Sequence, residues 1–206
     1  MIARKSTRLA AGVAALAAAL FLTACNNPQP ASDGHTDHSH ESTEQEPVID
    51  GEPAAFNDAD VSFASMMVPH HEQAVELSAL VPDRSTNPEL IALAQQIQAA
   101  QEPEINTMKA FLVQWNEGED THAGHDMSTM DGMVAPATMT QLESLQGTEF
   151  DTLWLQSMIA HHEGAITMAQ AELADGANAD AKSLAQHIID GQQAEIDQMK
   201  SMLGGG

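Results

Sequence analysis

The chain has 206 residues, with 7 Lys and Arg against 30 Asp and Glu, a formal net charge of −23, ten His, twelve Met, one Cys and no Tyr. A polyanion with two Trp and five Phe repels phosphate and offers no aromatic platform for bases, which excludes nucleic acid as a partner. One cysteine excludes an intrachain disulfide and a multi-thiolate metal site.

Arg4, Lys5 and Arg8 stand ahead of an Ala/Leu-rich stretch from Leu9 to Leu22, too short and wrongly flanked for a membrane-spanning helix, so the segment reads as an export signal. It ends Leu22-Thr23-Ala24-Cys25, which resembles the bacterial lipobox and implies lipid attachment at Cys25. Residues 1–24 are therefore expected to be a lipoprotein signal peptide. The mature protein is expected on the extracytoplasmic face of a cell membrane, anchored in it by lipid. Removing those residues takes three basic and no acidic side chains, leaving a formal charge of about −26, which keeps a protein soluble and draws cations to its surface. Residues 25–56 are rich in Pro, Ser, Asp, Glu and His and carry almost no large apolar residue, so they read as a disordered tether.

The first helix is predicted from about Asp58 to Val81, because Phe63, Met67, His70, Ala74, Leu77 and Val81 recur in steps of four and three on one stripe, and Pro82 is expected to end it. Asn87 as N-cap with Pro88 at the first position opens the second, whose stripe is Leu90, Ala94, Ile97, Gln101, Glu104, Met108 and Phe111. Its end is expected near Gly118. A polar loop over residues 118–135 leads to a short helical turn that Thr138 and Gln141 are expected to cap. Gly147 breaks that turn, and Thr148 is expected to cap a third long helix with Trp154, Met158, His161, Ala165 and Met168 on its stripe, closed by Gly176. The fourth runs from about Asp180 to Leu203 with Ile188, Gln192, Glu195, Met199 and Met202. Pro69 and Pro103 fall inside predicted helices while the periodicity continues, which argues for a kink rather than a break.

The two hairpins, residues 57–117 and 136–203, are copies of each other. His70-His71-Glu72 recurs 91 residues later as His161-His162-Glu163, and Leu93-Ala94-Gln95, Gln101, Glu104-Ile105 and Met108-Lys109 recur as Leu184-Ala185-Gln186, Gln192, Glu195-Ile196 and Met199-Lys200. Each hairpin is too small to hide its stripe alone, so an all-α four-helix bundle of two pseudo-symmetric hairpins follows.

His70, His161, Gln101, Glu104, Gln192 and Glu195 sit where apolar residues belong, and such groups are costly unless they bond to each other, to water or to an ion. They are expected to form a network. His71 and His162 fall on a flank at a helix interface, and Glu72 and Glu163 turn toward solvent or a neighbouring side chain. Met67 lies one turn before His70 and His71, and Met158 repeats that relation to His161 and His162, so thioether and imidazole share a helical face in both copies. Two readings stay open: metal at the helical histidines, with Gln101, Glu104, Gln192 and Glu195 behind them, or a purely structural network.

Residues from about Asn57 to Leu203, through the segments Met66 to Val75 and Met158 to Ile166, resemble the bacterial family called domain of unknown function 305, a ferritin-like group with paired histidines. The resemblance implies a four-helix bundle, commonly exported, with copper binding implicated in some members and no established reaction. Iron chemistry of the ferritin kind is not expected, because no Glu-x-x-His motif precedes any of the helical histidines.

The loop supplies a separate metal signal: His122, His125, Met127, Met130 and Met133 within twelve residues, a soft and borderline donor set that suits Cu(I). His35, His38 and His40 in the tether form a weaker cluster, read either as a solvated polar run or as a weak Cu(II) or Zn²⁺ site. With no phosphate loop, no Gly-x-Ser-x-Gly and no His-Glu-x-x-His, an enzyme is not expected. The function expected is an exported, membrane-tethered copper-binding protein that buffers or delivers Cu(I). The alternative is a non-metal helical scaffold or interaction module held in register by its His/Gln/Glu core.

Overall fold

The protein is described by a computed structural model over residues 54–117 and 130–204. The first helix, α1 (Asp58–Arg84), opens with a capping box: the Asn57 side chain accepts from the Ala59 and Asp60 N–H groups at 2.9 and 3.2 Å, and the Asp60 carboxylate accepts from the Asn57 N–H at 2.6 Å. Pro82 does not end α1, as the sequence suggested; it lies inside. A proline near the C-terminus forfeits only the one bond its N–H would make, and the Ser85 N–H then closes the helix on the Val81 carbonyl at 2.9 Å. In α2 (Pro88–Gln114) the predicted cap forms, with Asn87 accepting from the Glu89 N–H at 3.0 Å. Both helices run on through Pro69 and Pro103.

The short helix α3 (Pro136–Ser144) starts without the expected Thr138 capping box. The fixed φ of Pro136 begins it, and the Ala135 carbonyl takes the N–H groups of Thr138 and Met139 at 2.9 and 3.0 Å. Likewise Thr148 does not cap α4 (Gly147–Asp175). Gly147, at φ +60°, turns the chain in a left-handed conformation and becomes the first helical residue, which moves Thr148 inside the first turn. Gly176 ends α4, and Asn178 opens α5 (Ala179–Gly204) by accepting from the Asp180 and Ala181 N–H groups, both at 3.0 Å.

The long helices pack in a ring: α1 against α2, α4 against α5, α1 against α4, and α2 only lightly against α5, with α3 bracing α1 and α4. The predicted four-helix bundle is thus observed, with α3 as an addition. Its apolar core is in two parts. One gathers Leu77, Leu90, Ile97, Phe150, Trp154, Met158 and Met199, and the Trp154 indole N–H donates to the Leu77 carbonyl at 2.9 Å. The other gathers Phe63, Met67, Ile105, Met108, Ala165, Ala185 and Ile188. Each large side chain fully buried there contributes about 1.5–3 kcal/mol. The buried polar residues His70, His71, Gln101, Glu104, His161, His162, Gln192 and Glu195 come from the middle of the four long helices, where the sequence places them between the two apolar sets.

At one end, Asp60 bolts the start of α1 to the α4–α5 turn, accepting from the Asn178 N–H at 2.8 Å and the Ala177 N–H at 3.1 Å. Phe56, assigned from sequence to the tether, stacks on Trp115 with ring centroids 5.2 Å apart. Among the described residues no helix is long and apolar enough to cross a membrane.

Candidate metal centre

Four imidazoles, from α1 and α4, are withdrawn completely from solvent. They fall into two kinds. The rings of His70 and His161 face each other with centroids 3.7 Å apart and a tilt of 34°. Those of His71 and His162 turn to the partner helix of their own hairpin: His71 Nε2 lies 3.0 Å from Glu104 Oε2, and His162 Nε2 lies 2.8 Å from Glu195 Oε2. Position along the helix causes the split, because consecutive residues are about 100° apart and cannot share one neighbour.

A carboxylate only accepts, so it fixes the proton of His71 and of His162 on Nε2, and in the neutral ring Nδ1 carries the lone pair. The same argument holds for His70, whose Nε2 lies 3.3 Å from the Asp131 carbonyl oxygen. The Nδ1 atoms of all four rings, and Nε2 of His161 as well, have no hydrogen-bond partner. Burial, then the nearby His71, pushes the His70 pKa down to about 3. Burial, then His70, holds His161 well below the ordinary imidazole value. Both inner rings are therefore neutral at neutral pH, the state in which a ring nitrogen can bind a metal.

Glu104 and Glu195 stand behind His71 and His162 in the relation that orients a metal-binding imidazole and raises its basicity. Gln101 and Gln192 are buried beside them, and both atoms of each amide lack a protein partner. Among the described residues no three His, Cys, Asp or Glu side chains are grouped to hold a metal ion. Thioether is a further donor type, suited to soft metals. Met67 and Met158 are fully buried, one in each half of the apolar core. Glu72 and Glu163 stay outside, paired with Lys109 at 2.7 Å and Lys200 at 3.2 Å.

Of the loop residues singled out from sequence, Met130 and Met133 are half-buried and flank the backbone that covers His70. His122, His125 and Met127 lie outside the described residues, as do Cys25 and the His35, His38 and His40 cluster. Three features of this cover went unread in the sequence. The Gln73 amide donates to the Val134 carbonyl at 3.0 Å and accepts from its N–H at 2.8 Å. Gly132, at φ +83°, presses its backbone against that of Gly164, and a Cβ on either would strike the other strand of backbone. The Asp131 carbonyl faces His70. The available signal was the break in the repeat just after the triplet, Gln73 against Gly164.

Solved structures share this architecture. A DUF305 protein from Streptomyces coelicolor, classed as secreted, superposes with a TM-score of 0.65 at 32% identity, over 71% of this chain and 93% of its own. A DUF305 fragment from Deinococcus radiodurans gives 0.67 at 30%, over 75% of this chain and 100% of its own. CopM in its Cu(I)-bound form gives 0.60 at 31%, over 71% of this chain and 96% of its own, and CopM has also been crystallised in Cu(II)-bound, silver-bound and apo forms. No curated protein sequence matches this chain. The sequence profile described as Domain of unknown function (DUF305) matches residues 60–203, the whole bundle with its histidine layer, and the chain belongs to that family.

Proposed function

We propose that this protein is an exported copper-binding protein, held at the membrane by lipid on Cys25, that buffers or delivers Cu(I) outside the cytoplasm and catalyses no reaction of its own. The observation that carries the reading is the facing pair His70 and His161, neutral and buried, with ring nitrogens that have no partner. Buried imidazole nitrogens without a protein partner cost stability unless water or an ion binds them. Met67 and Met158 stand one turn away on the same helices, and imidazole with thioether is a donor set suited to Cu(I). The similarity to CopM in copper- and silver-bound forms supports the same choice of metal. Export is supported by the similarity to a protein classed as secreted and by the basic, then apolar, N-terminal segment.

In this reading His70, His161, His71 and His162, with Met67 and Met158, hold an inner site. Glu104 and Glu195 orient it and balance its charge, and His122, His125, Met127, Met130 and Met133 form a separate capture loop. The scaffold alternative is favoured by one observation, that the His71–Glu104 and His162–Glu195 bonds already tie each hairpin together.

Cu(I) competition against a chromogenic chelator under reducing conditions separates the two. The double variant His70→Leu with His161→Leu should lower the inner-site affinity by at least about tenfold, equivalent to about 1.4 kcal/mol, with helicity retained. A chain that shows no preference for Cu(I) over Zn²⁺, and melts alike with and without copper, would leave the scaffold reading standing.

A further inference from the structure

The wall between α2 and α5 is the lightest contact of the ring, and a cavity of about 40 Å³ opens in it, lined by Gln101, Glu104, His187, Gly191, Gln192 and Glu195. Such a volume admits a small number of waters or an ion with part of its hydration. The lining obeys the internal repeat. Gln96 Nε2 donates across the wall to Glu195 Oε1 at 3.3 Å, and 91 residues later His187 Nε2 stands 3.9 Å from Glu104 Oε1. The other carboxylate oxygens of the same two glutamates hold His162 and His71. Each glutamate thus touches the cavity on one side and the imidazole layer on the other.

Gln101 is 1% exposed and Gln192 4%, and neither amide finds a protein partner. Leucines would seal this wall at no polar cost; amides there need water or a cation. The opposite wall, between α1 and α4, is closed by the Asp131 carbonyl, the Gly132–Gly164 backbone contact and the Gln73 clamp.

We propose that the α2/α5 seam is the port through which a copper ion reaches the imidazole layer, received at the rim by His187 beside Glu104 and passed inward between Gln101 and Gln192. This deepens the copper-binding reading and rests on it. The His187 side chain is 77% exposed, so a borderline nitrogen donor meets solvent at the mouth. Glu104 adds a negative charge that concentrates cations there. Gln96, at the repeat-related position, offers no ring nitrogen.

The test is the rate at which Cu(I) passes from a chromogenic chelator to the full chain carrying Met127→Leu, Met130→Leu and Met133→Leu, so that the loop methionines take none. A Cβ at Gly191, which lines the cavity, meets nothing, so Gly191→Trp adds an indole at the mouth without a backbone clash. Gly191→Trp should slow loading at least about tenfold and His187→Gln about threefold, each with final occupancy unchanged. Gln73→Ala, which loosens the opposite wall, should leave the rate as it is. An unchanged rate in Gly191→Trp, or a faster one in Gln73→Ala, overturns the port and leaves copper binding in place. No uptake by the loop-substituted chain overturns the port and the inner site together. Should Gly191→Trp fail to fold, Gln101→Leu with His187→Gln carries the same expectation, a slower rate supporting the port and an unchanged one overturning it.

Discussion

The two hairpins present the same His-His-Glu triplet at the same level of the bundle, yet the next residue is Gln73 in the first and Gly164 in the second. That difference decides where the inter-hairpin loop lies. Gln73 grips Val134 by both faces of its amide, and Gly164 makes room for the backbone of Asp131 and Gly132. Repeat symmetry builds the imidazole layer, and its local failure closes one side of that layer. A homodimer of hairpins could have built the layer but not the one-sided cover.

The largest expected effect tests that failure directly. In Gly164→Ala the new methyl group runs into the Asp131 carbonyl and the Gly132 Cα, which are backbone and cannot rotate away. We expect a loss of about 2–4 kcal/mol, read as a melting temperature lower by about 5–15 °C. Gln73→Gly, which removes two hydrogen bonds and adds a helical glycine, should cost less, about 1–3 kcal/mol. Equal tolerance at both sites would mean that the loop is not held as described.

The layer itself should respond symmetrically. Glu195→Ala and Glu104→Ala each strand a buried imidazole N–H, at about 1–3 kcal/mol in urea denaturation. A full cost at one glutamate and none at the other would break the pseudo-twofold description.

Sequence alone went far with the layer because helical period records burial. Every residue of the α1 stripe, from Phe63 to Val81, is buried, and so are Gln101, Glu104, Gln192 and Glu195. Period fixes direction around a helix but not which neighbour a side chain reaches. It therefore predicted a network without showing that the glutamates take His71 and His162 while His70 and His161 face each other. The cover was hidden for another reason. The approach of Gly132 to Gly164 is a backbone contact between distant segments and leaves no periodic trace. Helix ends erred where proline and glycine geometry outweighed side-chain caps, at Pro82, Pro136 and Gly147.

The smallest effect comes from a second break in the repeat, Glu172 where the first hairpin has Val81. Glu172 is buried against Asp60 at the bolt between α1 and the α4–α5 turn. Burial, then the adjoining Asp60 carboxylate, raises the Glu172 pKa from 4.5 to about 8, so its carboxyl is neutral at pH 7. Burial works against ionisation of Asp60, but the N–H groups of Asn178 and Asn57 prevail and lower its pKa below 3.8. Between 4.5 and about 8 the folded chain binds one more proton at Glu172 than the unfolded chain does, so this group's stabilisation is complete below 4.5 and is lost as pH rises through about 8. Asp60 acts in the opposite sense and only at the acid end, its contribution falling away below 3.8. The depressed imidazoles of His70 and His161 likewise act below 6.5. The interval from 6.5 to about 8 is therefore governed by Glu172 among these groups, and the melting temperature should fall across it and level off above. Glu172→Val, which copies the first hairpin, should flatten that fall; an undiminished slope in the variant would place the titrating group elsewhere and remove the distinction between the two helix ends.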